Sequence, residues 1–173
     1  MEDLKKVIRE IPDFPKPGIL FYDITTLLAH GPSFRTAVDR IAEEFAGRNV
    51  QRVLAIDARG FLFGAGVAYK LGLGIAPVRK KGKLPFRTIS ASYELEYGTD
   101  SIEIHEDAIQ PGERVLIVDD LLATGGTAGA AVELVRRSQG EVVGCAFVIE
   151  LIFLQGRRKL PGIPVYSLVQ YDI

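Results

Sequence analysis

Apolar residues along this chain alternate between runs with the period of a strand and stripes with the period of a helix. Val115, Leu116, Ile117 and Val118 form a run of mostly branched residues suited to a parallel strand buried on both faces. The strand is predicted over 115–119; small residues follow, then a helix over 126–138 and a strand over 141–149, which together predict a βαβ unit. Upstream, Pro32 sits in a first-turn position, and Phe34, Ala37, Val38, Ile41, Ala42 and Phe45 recur at helical spacing, predicting a helix over 32–46. Residues 52–57 read as a strand, 60–71 as a helix, 73–79 as a strand and 165–169 as the last strand. Two segments break this order. Residues 3–10 read as a short helix, and Ile11 to Gly18 carries three prolines, predicting an ordered loop or lid rather than a strand. From Lys80 to Ser101 the chain turns basic, then polar and aromatic, and 89–93 with 101–104 predict an antiparallel hairpin projecting from the sheet. Strands alternating with helices imply a parallel, right-handed α/β sheet flanked by helices. The expected organisation is one domain over 1–173, with a small N-terminal hood over the carboxyl edge, mainly 1–30, and a flexible segment over 80–101.

Composition agrees and narrows the partners. A chain of 173 residues with 47% hydrophobic and 25% charged content can bury the core of one globular domain. A net charge of -1 and an isoelectric point near 6.1 leave no basic footprint for nucleic acid or an anionic membrane. Cys145 lies inside the apolar run 142–149 and reads as a small core residue in a reducing compartment. The acids and lysines near Met1 do not make a secretory signal, and no apolar run approaches the roughly 18 residues of a membrane span, so a cytoplasmic location is expected. His30 and His105 have no ligand-like neighbours in sequence and read as surface or loop residues.

The chemistry concentrates at the end of the 115–118 run. Ligands of open α/β sheets sit beyond strand carboxyl ends, where Asp119 and Asp120 stand. Ala123, Gly125 and Gly126 lack bulk, so several peptide N–H groups can converge on an anion, and Thr124 and Thr127 add hydroxyl donors. The following helix contributes its N-terminal partial charge. Together these favour a phosphate monoester. No Lys stands where a nucleoside-triphosphate loop requires one, and the glycines miss the dinucleotide fingerprint. The two carboxylates can accept hydrogen bonds from vicinal ribose hydroxyls, so the pair of features points to a ribose 5-phosphate. The alternative, an ordinary strand and helix with chance acids, leaves two carboxylates at a buried strand end without partners.

Val-Leu-Ile-Val-Asp-Asp-Leu-Leu-Ala-Thr-Gly-Gly-Thr, residues 115–127, resembles the phosphoribosyl-diphosphate signature of the type I phosphoribosyltransferases. One strand earlier, Ala55-Ile-Asp-Ala-Arg-Gly-Phe61 repeats the design, and Arg59 is available for a bidentate grip on a second phosphoryl group. A surface Arg59 beside a helix-capping Asp57 is the plainer reading. In the resembling family this loop binds diphosphate and often holds a cis peptide, here falling at Asp57-Ala58. Arg79-Lys-Lys-Gly-Lys83 packs four cations into five residues. Such a run is usually a solvated face, but it matches the Arg-Lys-x-Gly-Lys run of the adenine-specific members, which makes Arg79, Lys80 and Lys83 candidates for neutralising a diphosphate. Ser92-Tyr-Glu-Leu-Glu-Tyr-Gly98 is similar to the mobile catalytic loop of those members, which casts Glu96 as a proton-transfer group to the purine and Tyr97 as cover for the reacting centre. Asp13 to Ile24 resembles their hood segment, with Phe14, Ile19 and Leu20 as base contacts, although Tyr22 replaces a usual basic residue. Residues 149–160 and 166–171 resemble their C-terminal end, so the likeness spans nearly the whole chain.

The resemblance implies transfer of a phosphoribosyl group from 5-phosphoribosyl-1-diphosphate to adenine. It also implies Mg²⁺ on the diphosphate and its waters, with Asp119 and Asp120 as candidate contacts to the metal, and a homodimer. A member acting on hypoxanthine, guanine or orotate is the nearest rival. A non-catalytic sensor would need a basic nucleic-acid module this chain lacks, and a plain interaction domain would leave the phosphate cradle unexplained.

Overall fold

A computed structural model describes residues 3–173; Met1 and Glu2, the start of the expected hood, lie outside the described residues. In chain order the elements are β1 (Arg9–Pro12), β2 (Leu20–Asp23), α1 (Thr25–Ala29), α2 (Gly31–Phe45), β3 (Arg52–Ile56), α3 (Gly60–Leu71), β4 (Gly74–Lys80), β5 (Thr88–Glu94) and β6 (Thr99–His105). They continue with β7 (Arg114–Leu122), α4 (Gly126–Arg137), β8 (Glu141–Leu151) and β9 (Val165–Tyr171). Short 3₁₀ turns cover Leu4–Lys6, Ile152–Leu154 and Gly156–Lys159.

Strand alternation builds the layers. Leu116 and Val118 of β7 pack with Val53, Ala146 and Val148 against Ile41 and Phe45 of α2 and Phe63 and Val67 of α3. Val115 and Ile117 face the other way, with Leu54, Cys145 and Phe147, against Ala131, Leu134 and Val135 of α4. Each face of the sheet thus has its own helical cover, which is why these strands read as continuous apolar runs. Strand order is β5-β6-β4-β3-β7-β8-β9, with β4, β3, β7, β8 and β9 mutually parallel. The chain winds from β3 to β4 in one direction and from β7 through β8 to β9 in the other. The switch point therefore lies between the carboxyl ends of β3 and β7, where such sheets open a crevice.

Four expectations are corrected. Residues 9–12 and 20–23 are strands of a separate antiparallel ribbon, with Arg9 opposite Asp23 and Pro12 opposite Leu20. Proline is tolerated there because it ends a two-stranded ribbon with no outer neighbour requiring its N–H. The expected helix over 3–10 shrinks to the single turn Leu4–Lys6. The β5–β6 hairpin does not merely project: Arg79 pairs with Glu103 and Lys80 with Ile102, so it extends the sheet beyond β4. Finally, β7 continues to Leu122 because its pairing with β8 carries past the acids, Asp119 opposite Phe147 and Leu122 opposite Glu150. Asp119 lies within the strand, as the expected span 115–119 has it, and Asp120, expected just beyond that span, is a strand residue too. Tyr22, whose role the sequence left open, stacks on Tyr171 with ring centroids 3.7 Å apart and donates its hydroxyl to the Ile173 carbonyl at 2.7 Å.

The ribbon is tied to α1 through Asp23. Its carboxylate accepts from the Thr25 hydroxyl at 2.7 Å, the Thr25 N–H at 2.9 Å and Arg9 Nη2 at 2.6 Å, and these bonds lower its pKa to about 2. Since this lies below the ordinary 3.8, Asp23 stabilises the fold fully above about pH 4, and that contribution drains as pH falls through 2. Urea unfolding of Asp23→Asn should show a deficit against the parent at pH 7 that closes by about pH 2; a deficit independent of pH would contradict the assignment.

Candidate active site

The switch-point crevice is a cavity of about 360 Å³. The carboxyl end of β3 supplies Asp57, Ala58 and Arg59; the end of β7 and the turn into α4 supply Asp119, Asp120 and residues 121–128; Lys80 closes one side. The peptide between Asp57 and Ala58 is cis, at the position the sequence resemblance indicated.

Backbone packing shapes the turn after β7. Gly125, the residue before α4, has φ +81°, and a Cβ there would sit 2.3 Å from the Gly156 carbonyl oxygen. Only glycine meets both conditions. Gly156 in turn touches Ala123, so the segment after β8 clasps the turn from behind. That segment is anchored by a residue the sequence reading passed over. Glu150, 3% exposed, accepts from Arg157 Nε at 2.6 Å and Nη2 at 2.7 Å, and also from Ser167 and Gln170. The Arg157 hydrogen bonds hold its pKa below the usual glutamate value. A glutamate closing an apolar run, with arginines seven and eight residues later, was the available signal.

Asp119 is packed under the start of α3: a Cβ on Gly60 would lie 2.8 Å from its Oδ1. Burial, reinforced by the adjacent Asp120, raises its pKa well above the ordinary aspartate value. Its Oδ1 also accepts the Asp120 N–H at 2.8 Å. Asp120 pairs with Arg59 Nε, so the strand-end acid and the β3-loop cation already face each other across the cavity. Asp57 does not cap α3; its carboxylate accepts from Arg79 Nε at 3.3 Å.

Lys80 links the cavity to the hairpin. Its Nζ donates to the Tyr93 hydroxyl at 2.8 Å and to Asp100, which lowers the Asp100 pKa. Tyr93 also lies against Gly126, where a Cβ would meet its ring at 3.0 Å. Buried Glu103 of β6 accepts from the Gly82 N–H at 3.3 Å and the Ser90 hydroxyl at 2.9 Å, fixing the turn of the basic run. These three hairpin residues were missed because their partners are distant in sequence.

The cavity gathers Arg59, Lys80, Asp119, Asp120, Ala123, Thr124, Gly125, Gly126 and Thr127 of the expected residues. Arg79 and Lys83 do not line it; Arg79 Nη1 donates to the Lys83 carbonyl at 3.5 Å, joining the two beside it. Glu96 and Tyr97 stand in the turn between β5 and β6, with Tyr97 83% exposed. Phe14, Ile19 and Leu20 are exposed on the N-terminal ribbon and its loop. Among the described residues no cluster of three or more His, Cys, Asp or Glu is placed to hold a metal, and no helix is long and apolar enough to cross a membrane.

An α/β sheet whose switch point carries a glycine turn beside two adjacent carboxylates defines the class of open-sheet proteins that bind a small ligand in that crevice. Comparison with known proteins agrees. Residues 25–165 match the model of the phosphoribosyl transferase domain. A relative named adenine phosphoribosyltransferase from Trichlorobacter lovleyi is 58% identical over 99% of this chain and 100% of its own length. The crystal structure of adenine phosphoribosyltransferase from Thermoanaerobacter pseudethanolicus superimposes with a TM-score of 0.94 at 54% identity, covering 97% of this chain and 98% of that one. The Saccharomyces cerevisiae enzyme of the same name, complexed with an imino-altritol bisphosphate and adenine, gives 0.90 at 43% identity, covering 95% and 96%. The chain belongs to the phosphoribosyltransferase family, on its adenine phosphoribosyltransferase branch.

Proposed function

We propose that this chain transfers the phosphoribosyl group of 5-phosphoribosyl-1-diphosphate to adenine, giving AMP and diphosphate, a purine-salvage reaction. The observation that carries the reading is the single cavity holding a glycine turn for phosphate, two carboxylates and the cations Arg59 and Lys80. In this reading the N–H groups of 123–127 and the Thr124 and Thr127 hydroxyls bind the 5-phosphate, and Asp119 and Asp120 accept from the ribose hydroxyls. Arg59 and Lys80 exchange their carboxylate partners Asp120 and Asp100 for diphosphate oxygens, with Arg79 and Lys83 alongside. As the glycosidic bond breaks, positive charge builds on the ribose and negative charge on the departing diphosphate, so most of the catalysis is positioning and electrostatics. Glu96 and Tyr97 stand on the exposed hairpin tip, 95–98, and reach the reaction when that tip bends toward the cavity while the strands stay in the sheet, and Phe14, Ile19 and Leu20 offer the apolar surface for the base.

The residues present fit Mg²⁺ carried on the diphosphate: Asp119 and Asp120 line the cavity and would hold the ion or orient its waters. When bound, the ion would supply positive charge to the departing diphosphate. A homodimer is supported by α3, which exposes Leu62 at 49% and Tyr69 at 89% two turns apart, with Ile75 of β4 exposed at 39%. A cytoplasmic location accords with the buried, unpaired thiol of Cys145.

A panel of bases assayed for diphosphate release with the donor sugar and Mg²⁺ tests the reading. Adenine should be converted at least about 100-fold more efficiently than hypoxanthine, guanine or orotate, because wrong bases leave buried polar groups unpaired. Preference for any of those three would overturn it.

A further inference from the structure

Further along α4 lies a second groove, of about 410 Å³, lined by that helix from Gly129 to Arg137 and by residues 159–163. It shares no lining residue with the phosphoribosyl cavity. Its floor is apolar: Val132 and Leu160 are buried, and Pro161 and Ile163 complete it. Its rim is cationic. Glu133 supplies the one acid of the lining, and that charge is taken by Arg137 at 3.5 Å, which also donates to the Ser90 carbonyl. Arg136 and Lys159 remain, and among the described residues neither side chain has a hydrogen bond or ion pair.

Cations in the last turn of a helix are accounted for in part by the helix dipole. Lys159, however, comes from a different segment and converges on the same groove. Two unpaired cations of different elements over an apolar floor, in a volume typical of small-molecule sites, are complementary to an anion with an apolar body. We propose that this groove is a regulatory site for an organic phosphate carrying an apolar ring system, the chemistry of a purine nucleotide. It goes beyond the transferase reaction and does not depend on the base used.

The route to the active cavity is short. Gly156, three residues before Lys159, is wedged against Ala123 and Gly125 of the phosphate turn, and Gly129 of α4 touches the Lys159 backbone, where a Cβ would lie 3.3 Å from the carbonyl oxygen. A ligand seated between α4 and Lys159 therefore bears on the segment that clasps the turn. Coupling of this kind is an energetic link between two distinct sites.

Equilibrium dialysis of labelled ATP against the full chain, with 5-phosphoribosyl-1-diphosphate saturating, tests the proposal. ATP should still be retained, with affinity falling roughly tenfold or more in the double variant Arg136→Glu/Lys159→Glu. ATP should also change turnover at saturating donor in the parent and not in the variant, whose rate without ATP equals the parent's. Loss of all ATP retention at saturating donor, equal retention by parent and variant, or parental turnover indifferent to ATP would each overturn the proposal.

Discussion

Replacing Asp119 and Asp120 together by asparagine is expected to lower turnover roughly 100- to 10,000-fold while the fold survives. Asparagine keeps the size and one acceptor oxygen of each side chain, so the Asp119 contact to the Asp120 N–H can persist. What disappears is the negative charge that, in the proposed reaction, accepts from ribose hydroxyls and balances the ribose as it becomes cationic. Stability should not fall with activity. Asp119 has its pKa raised by burial and by Asp120, so its ionised form costs stability, and that cost grows as pH rises above the ordinary aspartate range. Asparagine removes it. Arg59 loses its partner, but its side chain is 49% exposed and water can replace the carboxylate. Steady-state kinetics beside thermal unfolding at pH 7 should therefore show a collapsed kcat with a melting temperature equal to or above the parent's. Parental turnover in the double variant would contradict the role given to these acids.

Gly125→Ala should be as damaging, by a different route. The residue is held at φ +81°, which costs an L side chain about 1–2 kcal/mol, and its new methyl group would overlap the Gly156 carbonyl oxygen at 2.3 Å. Since Gly156 is itself wedged against Ala123, neither backbone can retreat without opening the turn. Affinity for the donor sugar should fall at least about 100-fold, with about 2 kcal/mol or more lost from stability. Gly162→Ala is the control: its φ is +74°, yet nothing lies within 4 Å of the added Cβ. It should show the conformational cost alone, with donor affinity unchanged. Equal donor affinities in the two variants would mean that the clasp by Gly156 does not shape the phosphate turn.

Elements whose signal is local were legible in the sequence. Helix α3 begins at Gly60 and ends at Leu71 as its spacing indicates, and the glycine turn leads into α4 at Gly126. The local signal also placed Asp119, Asp120, Arg59 and Lys80 in one cavity, because each stands at or just beyond the end of a parallel strand. The illegible parts depend on pairing between distant segments. The end of β7 is set by β8, not by its own residues, and β1 forms because β2 lies beside it despite Pro12. Glu103, Asp100 and Glu150 looked like ordinary charges until Gly82, Lys80 and Arg157 met them. Tyr22 could not be assigned from sequence because its partner, Tyr171, lies at the other end of the chain.

The most direct test of the account is calorimetric titration of the protein with 5-phosphoribosyl-1-diphosphate in the presence of Mg²⁺, run in parallel on Gly125→Ala. Saturable binding at one site per chain, lost or greatly weakened in the variant, is the predicted result. No heat from the parent, or equal binding by both proteins, would contradict the claim that the turn between β7 and α4 grips a phosphorylated pentose.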